Sequence, residues 1–188
     1  MRKTIILVVI LLVLGTAAGQ AQKLTDQPGY VPLEQLDLFP KDKLSLEINI
    51  EGALMSLIAA GAKNDPEFSS LMAGLKSITV QAIPLKGMDE ATVRTKIGRT
   101  VRWLEDRGWK STMRMRDKGE EAYIYLREVD GKIAGMTLLT LDPGQEAVVI
   151  NIVGRIDPAQ IGRLSQRLNL PQIKHTPAPA PPPGKKPE

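Results

Sequence analysis

The stretch WKSTMRMRDKGEEAYIYLREVDGKIAGMTLLTLDPGQEAVVINIVGRI, residues 109–156, decides the fold. Apolar and polar residues alternate through four successive runs, the period of a strand with one face to be covered. Trp109, Ser111, Met113 and Met115 alternate with Lys110, Thr112, Arg114 and Arg116. Ala122, Ile124 and Leu126 oppose Tyr123, Tyr125 and Arg127. Ala134, Met136 and Leu138 share one face of the third run, and Val148, Ile150, Ile152 and Ile156 one face of the fourth. Asp117-Lys118-Gly119, Asp130-Gly131 and Asp142-Pro143-Gly144 supply tight turns. Turns this short join antiparallel strands, so the stretch reads as a four-strand meander. Its last two runs are apolar on nearly both faces, which places them at the centre of the sheet.

Upstream, Leu44, Leu46, Ile48 and Ile50 alternate with polar residues in a first strand, and Ile78, Val80 and Ala82 mark a second. Between them, 53–60 is apolar and helix-favouring, and Asp65-Pro66-Glu67 starts another helix by a cap, a proline and an acid in the first turn. These two helices read as one crossover connection. From Asp89 to Asp106 the period changes: Val93, Ile97, Val101 and Leu104 line one face of the longest helix, which Arg107-Gly108 closes. After the meander, Asp157-Pro158 repeats the cap-and-proline pattern, and Ile161, Leu164 and Leu168 share a helical face. The fold class expected is α+β: a two-layer domain of five or six mostly antiparallel strands with helices on one face.

The ends differ from this middle. Arg2 and Lys3 precede an unbroken apolar run, 5–14, and Gly19 and Ala21 fit the small-residue positions of a signal-peptidase site. The organisation expected is a signal peptide over 1–21, a leader over 22–43, one domain over 44–170, and a proline-rich disordered tail over 171–188. The protein is then periplasmic or secreted and not an integral membrane protein; an uncleaved N-terminal anchor is the alternative. There is no cysteine, which excludes a disulfide framework, a thiolate metal site and a cysteine nucleophile. The full chain has 25 basic and 21 acidic residues, net +4, and losing Arg2 and Lys3 leaves 23 against 21, net +2. That balance does not call for a nucleic-acid partner.

Chemistry finds little foothold. The one histidine, His175, opens the proline-rich tail, so no histidine-based triad or multi-histidine metal site can form. Glu47 and Glu51 share a strand face but stand about 13 Å apart by strand rise, too far for a glycosidase pair. No catalytic residue, metal or cofactor is expected. Nine basic residues do concentrate between Arg94 and Lys118, against Glu105, Asp106 and Asp117. Within and beside this region Arg99, Arg102, Trp103, Lys110, Arg114 and Arg116 form a candidate surface for an anionic lipid, a polymer or an acidic envelope protein. An ordinary solvated face is the other reading. Tyr123 and Tyr125, on one strand face, are candidates for stacking on a flat ligand or for cross-strand packing. Asn151 interrupts an apolar strand, so its amide either lines a small pocket or pins a neighbouring segment.

The strand led by Trp109, the run Tyr123-Ile124-Tyr125, the turn Asp130-Gly131-Lys132-Ile133-Ala134-Gly135, the run Val149 to Asp157 and the helix bearing Ile161 and Leu164 together resemble a bacterial family known as domain of unknown function number 4252. The resemblance spans roughly residues 35–170. It implies a small exported domain, often lipid-anchored, with no assigned activity and no catalytic residues to carry over. The anchoring cysteine is missing here. The function expected is that of a non-enzymatic accessory or binding protein of the cell envelope, with anionic lipid or polymer binding through 94–118, or an enzyme of unrecognised class, as alternatives. Mass spectrometry of the exported protein is expected to find Gln22 at its N-terminus; a chain that retains residues 1–21 would establish the anchor instead.

Overall fold

In the computed structural model, which describes residues 23–157 apart from Lys63, the alternating stretch forms the expected meander. Its strands are β3 (Lys110–Asp117), β4 (Glu120–Val129), β5 (Lys132–Asp142) and β6 (Glu146–Ile156). They are preceded by β1 (Leu46–Glu51), α1 (Gly52–Gly61), α2 (Pro66–Gly74), β2 (Leu75–Pro84) and α3 (Glu90–Asp106). The six strands make one sheet, all neighbours antiparallel, in the order β1-β2-β6-β5-β4-β3. β6 and β5 occupy its centre, as their two-sided apolarity requires. The α+β class with an antiparallel sheet is therefore the one that the alternation predicts. Residues 1–21, the helix expected after Asp157, and the tail with His175 lie outside the described residues.

The helix starts follow their caps. The Asp65 carboxylate accepts from the Phe68 N–H at 3.0 Å, with Pro66 in the first turn. Asp89 accepts from the Ala91 N–H at 3.1 Å and from the Thr92 hydroxyl at 2.6 Å. Both satisfy donors that the first helical turn leaves without partners. One expectation is corrected: α1 and α2 do not form a crossover. β1 and β2 are adjacent and antiparallel. Two helices of nearly equal length return the chain to the end of the sheet it left, so the next strand runs back along the first.

Strand alternation separates two clusters. Ile83, Tyr123, Tyr125, Leu139, Leu141, Ala147 and Val149 project to one side, where Val93, Ile97, Val101 and Leu104 of α3 meet them. Residues of the other parity, Ile50, Ile78, Met136 and Ile152, meet Met55 of α1 and Met72 of α2. The main core has a third contributor. Val31, Leu33, Leu38 and Phe39 are buried in it, so this part of the leader lies across the sheet as a strap beside α3.

Two features fix the strap. Its backbone crosses β5 at Gly29 and Gly135 with no room for a side chain on either. A Cβ on Gly135 would stand 2.5 Å from the Gly29 Cα, and one on Gly29 would stand 2.1 Å from the Ala134 carbonyl oxygen. Beside this crossing, the buried Asn151 amide serves both partners. Its Oδ1 accepts from the Val31 N–H at 3.2 Å, and its Nδ2 lies 3.1 Å from the Gly29 carbonyl, 3.1 Å from Thr137 Oγ1 and 3.3 Å from the Met136 carbonyl. Asn151 thus pins a segment, and the polar residue within the apolar strand is explained by the backbone groups it satisfies.

These contacts set the expected stabilities. Asn151→Ala orphans the Val31 N–H and the Gly29 carbonyl and should cost about 1–3 kcal/mol. Gly135→Ala forces the crossing apart and should cost a similar amount, about 1–3 kcal/mol. Gly98→Ala in α3, where an added Cβ meets nothing within 4 Å, should instead stabilise by roughly 0.5–1 kcal/mol. Urea unfolding of the three variants checks the signs; a neutral Gly135→Ala would contradict the close crossing.

Candidate functional site

The basic region is built from the outer side of α3 and from β3, with β4 between β3 and the core. Strand pairing sets Arg114 opposite Tyr123 and Arg116 opposite Glu121. The side chains then interlock. The Tyr125 hydroxyl donates to Glu105 at 2.7 Å, and Arg114 donates to that hydroxyl at 3.0 Å and to Glu105 at 3.1 Å. Tyr123 repeats the arrangement: its hydroxyl donates to Glu121 at 2.5 Å and accepts from Arg116 at 2.9 Å. Arg94, from α3, pairs with the same Glu121 and donates to the Gly119 carbonyl at 2.9 Å. Lys110 pairs with Glu128 at 2.6 Å, and Lys96 with Asp37 of the strap at 2.8 Å.

The cations expected to attract an anion are thus largely answered from within the fold. Lys110, Arg114 and Arg116 each have an internal carboxylate or phenol. Tyr123 and Tyr125 are packed into the core, 5% and 0% exposed, so their rings offer no face for stacking. Trp103 packs against the main core while the Arg107 guanidinium lies over its ring at 4.1 Å. Arg99 and Arg102 are exposed on α3 and stand apart from the tyrosine network. Asn151 is on the strap side of the sheet, at the crossing described above. The structure therefore gathers Arg114, Arg116, Tyr123 and Tyr125 into one network and leaves Arg99 and Arg102 as a separate exposed pair. The carboxylates Glu105 and Glu121 that complete the network were not read as its partners. The signal for one was available: Glu121, Tyr123 and Tyr125 share a strand parity, and a meander places Arg116 across from Glu121.

The network leaves a mark on titration. Burial, and then a hydrogen bond to a carboxylate, hold both tyrosine hydroxyls above the ordinary tyrosine value of 10.0, against the opposing pull of Arg116 and Arg114. Hydrogen bonding to the tyrosines holds both arginines above their usual range. Among the described residues no group of three or more His, Cys, Asp or Glu side chains is placed to hold a metal ion.

The other side of the sheet presents a different surface. One ladder row crosses all six strands as Ile48, Val80, Ile150, Leu138, Ile124 and Met113. The next row is Leu46, Ala82, Val148, Thr140, Ala122 and Met115. Of these twelve positions only Thr140 is polar. The third row, with Ile50, Ile78, Ile152 and Met136, lies under α1 and α2, but the first two extend beyond that hairpin. Leu46 is 44% exposed, Ile48 38% and Met115 42%. At the far margin stand Asp117, Glu120, Asp142 and Glu146, all exposed. Alternation made the apolar parity legible; how much of it the short helices would cover was not.

With this geometry established, comparison places the chain. The family model described as Domain of unknown function (DUF4252) matches residues 39–164, two thirds of the 188 residues. No curated protein matches the chain. No helix among the described residues is long and apolar enough to cross a membrane.

The tyrosine shifts give a signed prediction. A raised folded-state value means that the contribution is intact below the unfolded value near pH 10 and is lost as pH rises through the folded value. Unfolding followed from about pH 9 to about pH 11 should show stability falling, and Tyr125→Phe should flatten part of that fall. A phenolate absorbance titration at the unfolded value would contradict the network.

Proposed function

The chain belongs to the DUF4252 family, and from that premise we propose that it is an exported, non-enzymatic binding module of the bacterial envelope. In this reading the partner docks on the apolar sheet face. The observation that carries it is the pair of ladder rows with eleven apolar positions of twelve, extending past α1 and α2. A contiguous apolar patch with a charged margin is what a protein interface presents to a partner. Leu54 and Leu57, 47% and 67% exposed on α1, add to the same side. The acidic margin favours a partner that is apolar in the middle and basic at its edge. Export rests on the basic start, apolar run and small-residue site of 1–21.

The basic region supports a narrower second reading. Arg99 and Arg102 are exposed on one side of α3 and could meet an anionic lipid or polymer. Arg114 and Arg116 contribute less to such a surface because Glu105 and Glu121 already neutralise them.

A photo-crosslinking residue placed in producing cells at Val80 or Leu138, or on the other side at Arg99, separates these readings. Adducts from Val80 and Leu138, with none from Arg99, are expected. Adducts from Arg99 alone, together with binding to anionic vesicles that Arg99→Glu and Arg102→Glu abolish, would overturn the docking reading in favour of the anionic one.

A further inference from the structure

Three cations converge at the end of the sheet where β2 and β5 begin and β6 ends. A cleft of about 330 Å³ opens there, and Pro28, Gly74, Lys76, Lys132, Ala134 and Arg155 are among its walls. That volume lies at the lower end of ligand sites, roughly 300–1,000 Å³. The irregularities of the sheet gather at the same corner. The β2–β6 register slips at Lys76, the β4–β5 register at Ala134, and the β5–β6 register between Ile133 and Gly135, opposite Ile156 and Val153. Such slips break strand alternation and re-aim the side chains beside them, a feature common next to functional sites. Gly154, just before Arg155, takes φ +132°. A Cβ on it would stand 2.6 Å from the Gly74 carbonyl oxygen, so backbone alone meets backbone at this wall.

The charges of this corner are not answered as those of the basic region are. Arg94, Arg114 and Arg116 each meet Glu105 or Glu121. Among the described residues, Lys76, Lys132 and Arg155 take part in no ion pair. No carboxylate of the described residues lines the cleft. Glu128 and Asp157 line the adjoining groove, and Glu128 is held by Lys110 at 2.6 Å. α2 ends at Gly74, and its C-terminus brings about half an elementary negative charge to one wall. Three full positive charges outweigh it, and an anion between them relieves their mutual repulsion. We propose that the cleft is an anion site that takes a phosphate monoester, with Arg155 as the forked donor and Lys76 and Lys132 as point charges. Such a group carries about −1.5 to −2 at pH 7, which matches three cations set against one helix end. Pro28, Ile133 and Ala134 offer apolar surface for the organic body of the ester. A lipid headgroup and a soluble phosphate ester share this chemistry. None of these residues belongs to the two apolar rows, so the site stands independently of the docking reading.

Amide spectra of the full mature chain, titrated with glycerol 3-phosphate and separately with dihexanoyl phosphatidic acid below its micelle concentration, test the site. The two probes carry the same phosphate monoester and differ in their acyl chains. Saturable shift changes centred on Lys76, Lys132, Ala134 and Arg155 are expected. Their appearance with both probes assigns a soluble ester, and with the acylated probe alone a lipid headgroup. Lys76→Gln, Lys132→Gln and Arg155→Gln combined should weaken binding at least about tenfold. The urea midpoint should stay in place, because these exposed side chains take part in no ion pair. Arg99→Glu with Arg102→Glu should leave binding unchanged. Silence with both probes, changes centred elsewhere or matched by sodium chloride at equal ionic strength, or binding that the triple variant retains would overturn the proposal. The shift map on the unmodified chain decides it even if the triple variant unfolds.

Discussion

A sheet that is apolar on both faces has to be covered twice. Every other feature of this fold answers that constraint. Each face of six strands exposes aliphatic surface to water unless something packs on it, at about 25 cal/mol for each Å² left uncovered. One face is answered in full by α3 and by the strap, whose Val31, Leu33, Leu38 and Phe39 fill the space beside the helix. The strap can lie close only because Gly29 and Gly135 bring two backbones together and Asn151 satisfies the polar groups trapped there. The second face is answered at one end by α1 and α2. The asymmetry between a covered face and a part-covered one leaves Leu46, Ile48 and Met115 exposed.

Charge works differently in the two places. Around β3 and β4 it is spent inside the fold: Glu105 and Glu121 hold the tyrosine hydroxyls and the arginines that lie over them. Such exposed pairs contribute little individually to stability. Their effect is to fix the tyrosines at the border of the core and to offset part of the positive charge of Arg94, Arg114 and Arg116. On the opposite side charge is confined to the margin, so covering the centre of the apolar rows desolvates no charge.

Much of this was legible in the residues. The period-two runs and their Gly-bearing turns specify the meander, the two-sided apolarity of β5 and β6 specifies their central place, and the Asp65-Pro66 and Asp89 signals specify helix starts. Pairing beyond adjacent strands was less accessible. Nothing local states that the β1–β2 link returns antiparallel, because that depends on the relative lengths and packing of two helices. The strap was visible as a leader too apolar to be free, but its path is set by a long-range bond between Asn151 and Val31. At the candidate site the cations were legible from local density, and their neutralisation was not, since Arg94 and Glu121 meet only through the packing of α3 on β4. The apolar rows illustrate both halves: parity reveals which side chains share a face, and only tertiary structure reveals how far the hairpin reaches across it.

The proposed interface is the apolar rows and not the basic strip. Methyl spectra of the isotopically labelled mature chain, with and without detergent-solubilised envelope from producing cells, test it most directly. Shift changes centred on Ile48, Val80, Ile124, Leu138 and Ile150 are expected, with Val93 and Ile97, on the buried face of α3, unmoved. Changes confined to methyls under α3 and around Tyr123 and Tyr125, with the five sheet-face methyls silent, would contradict it.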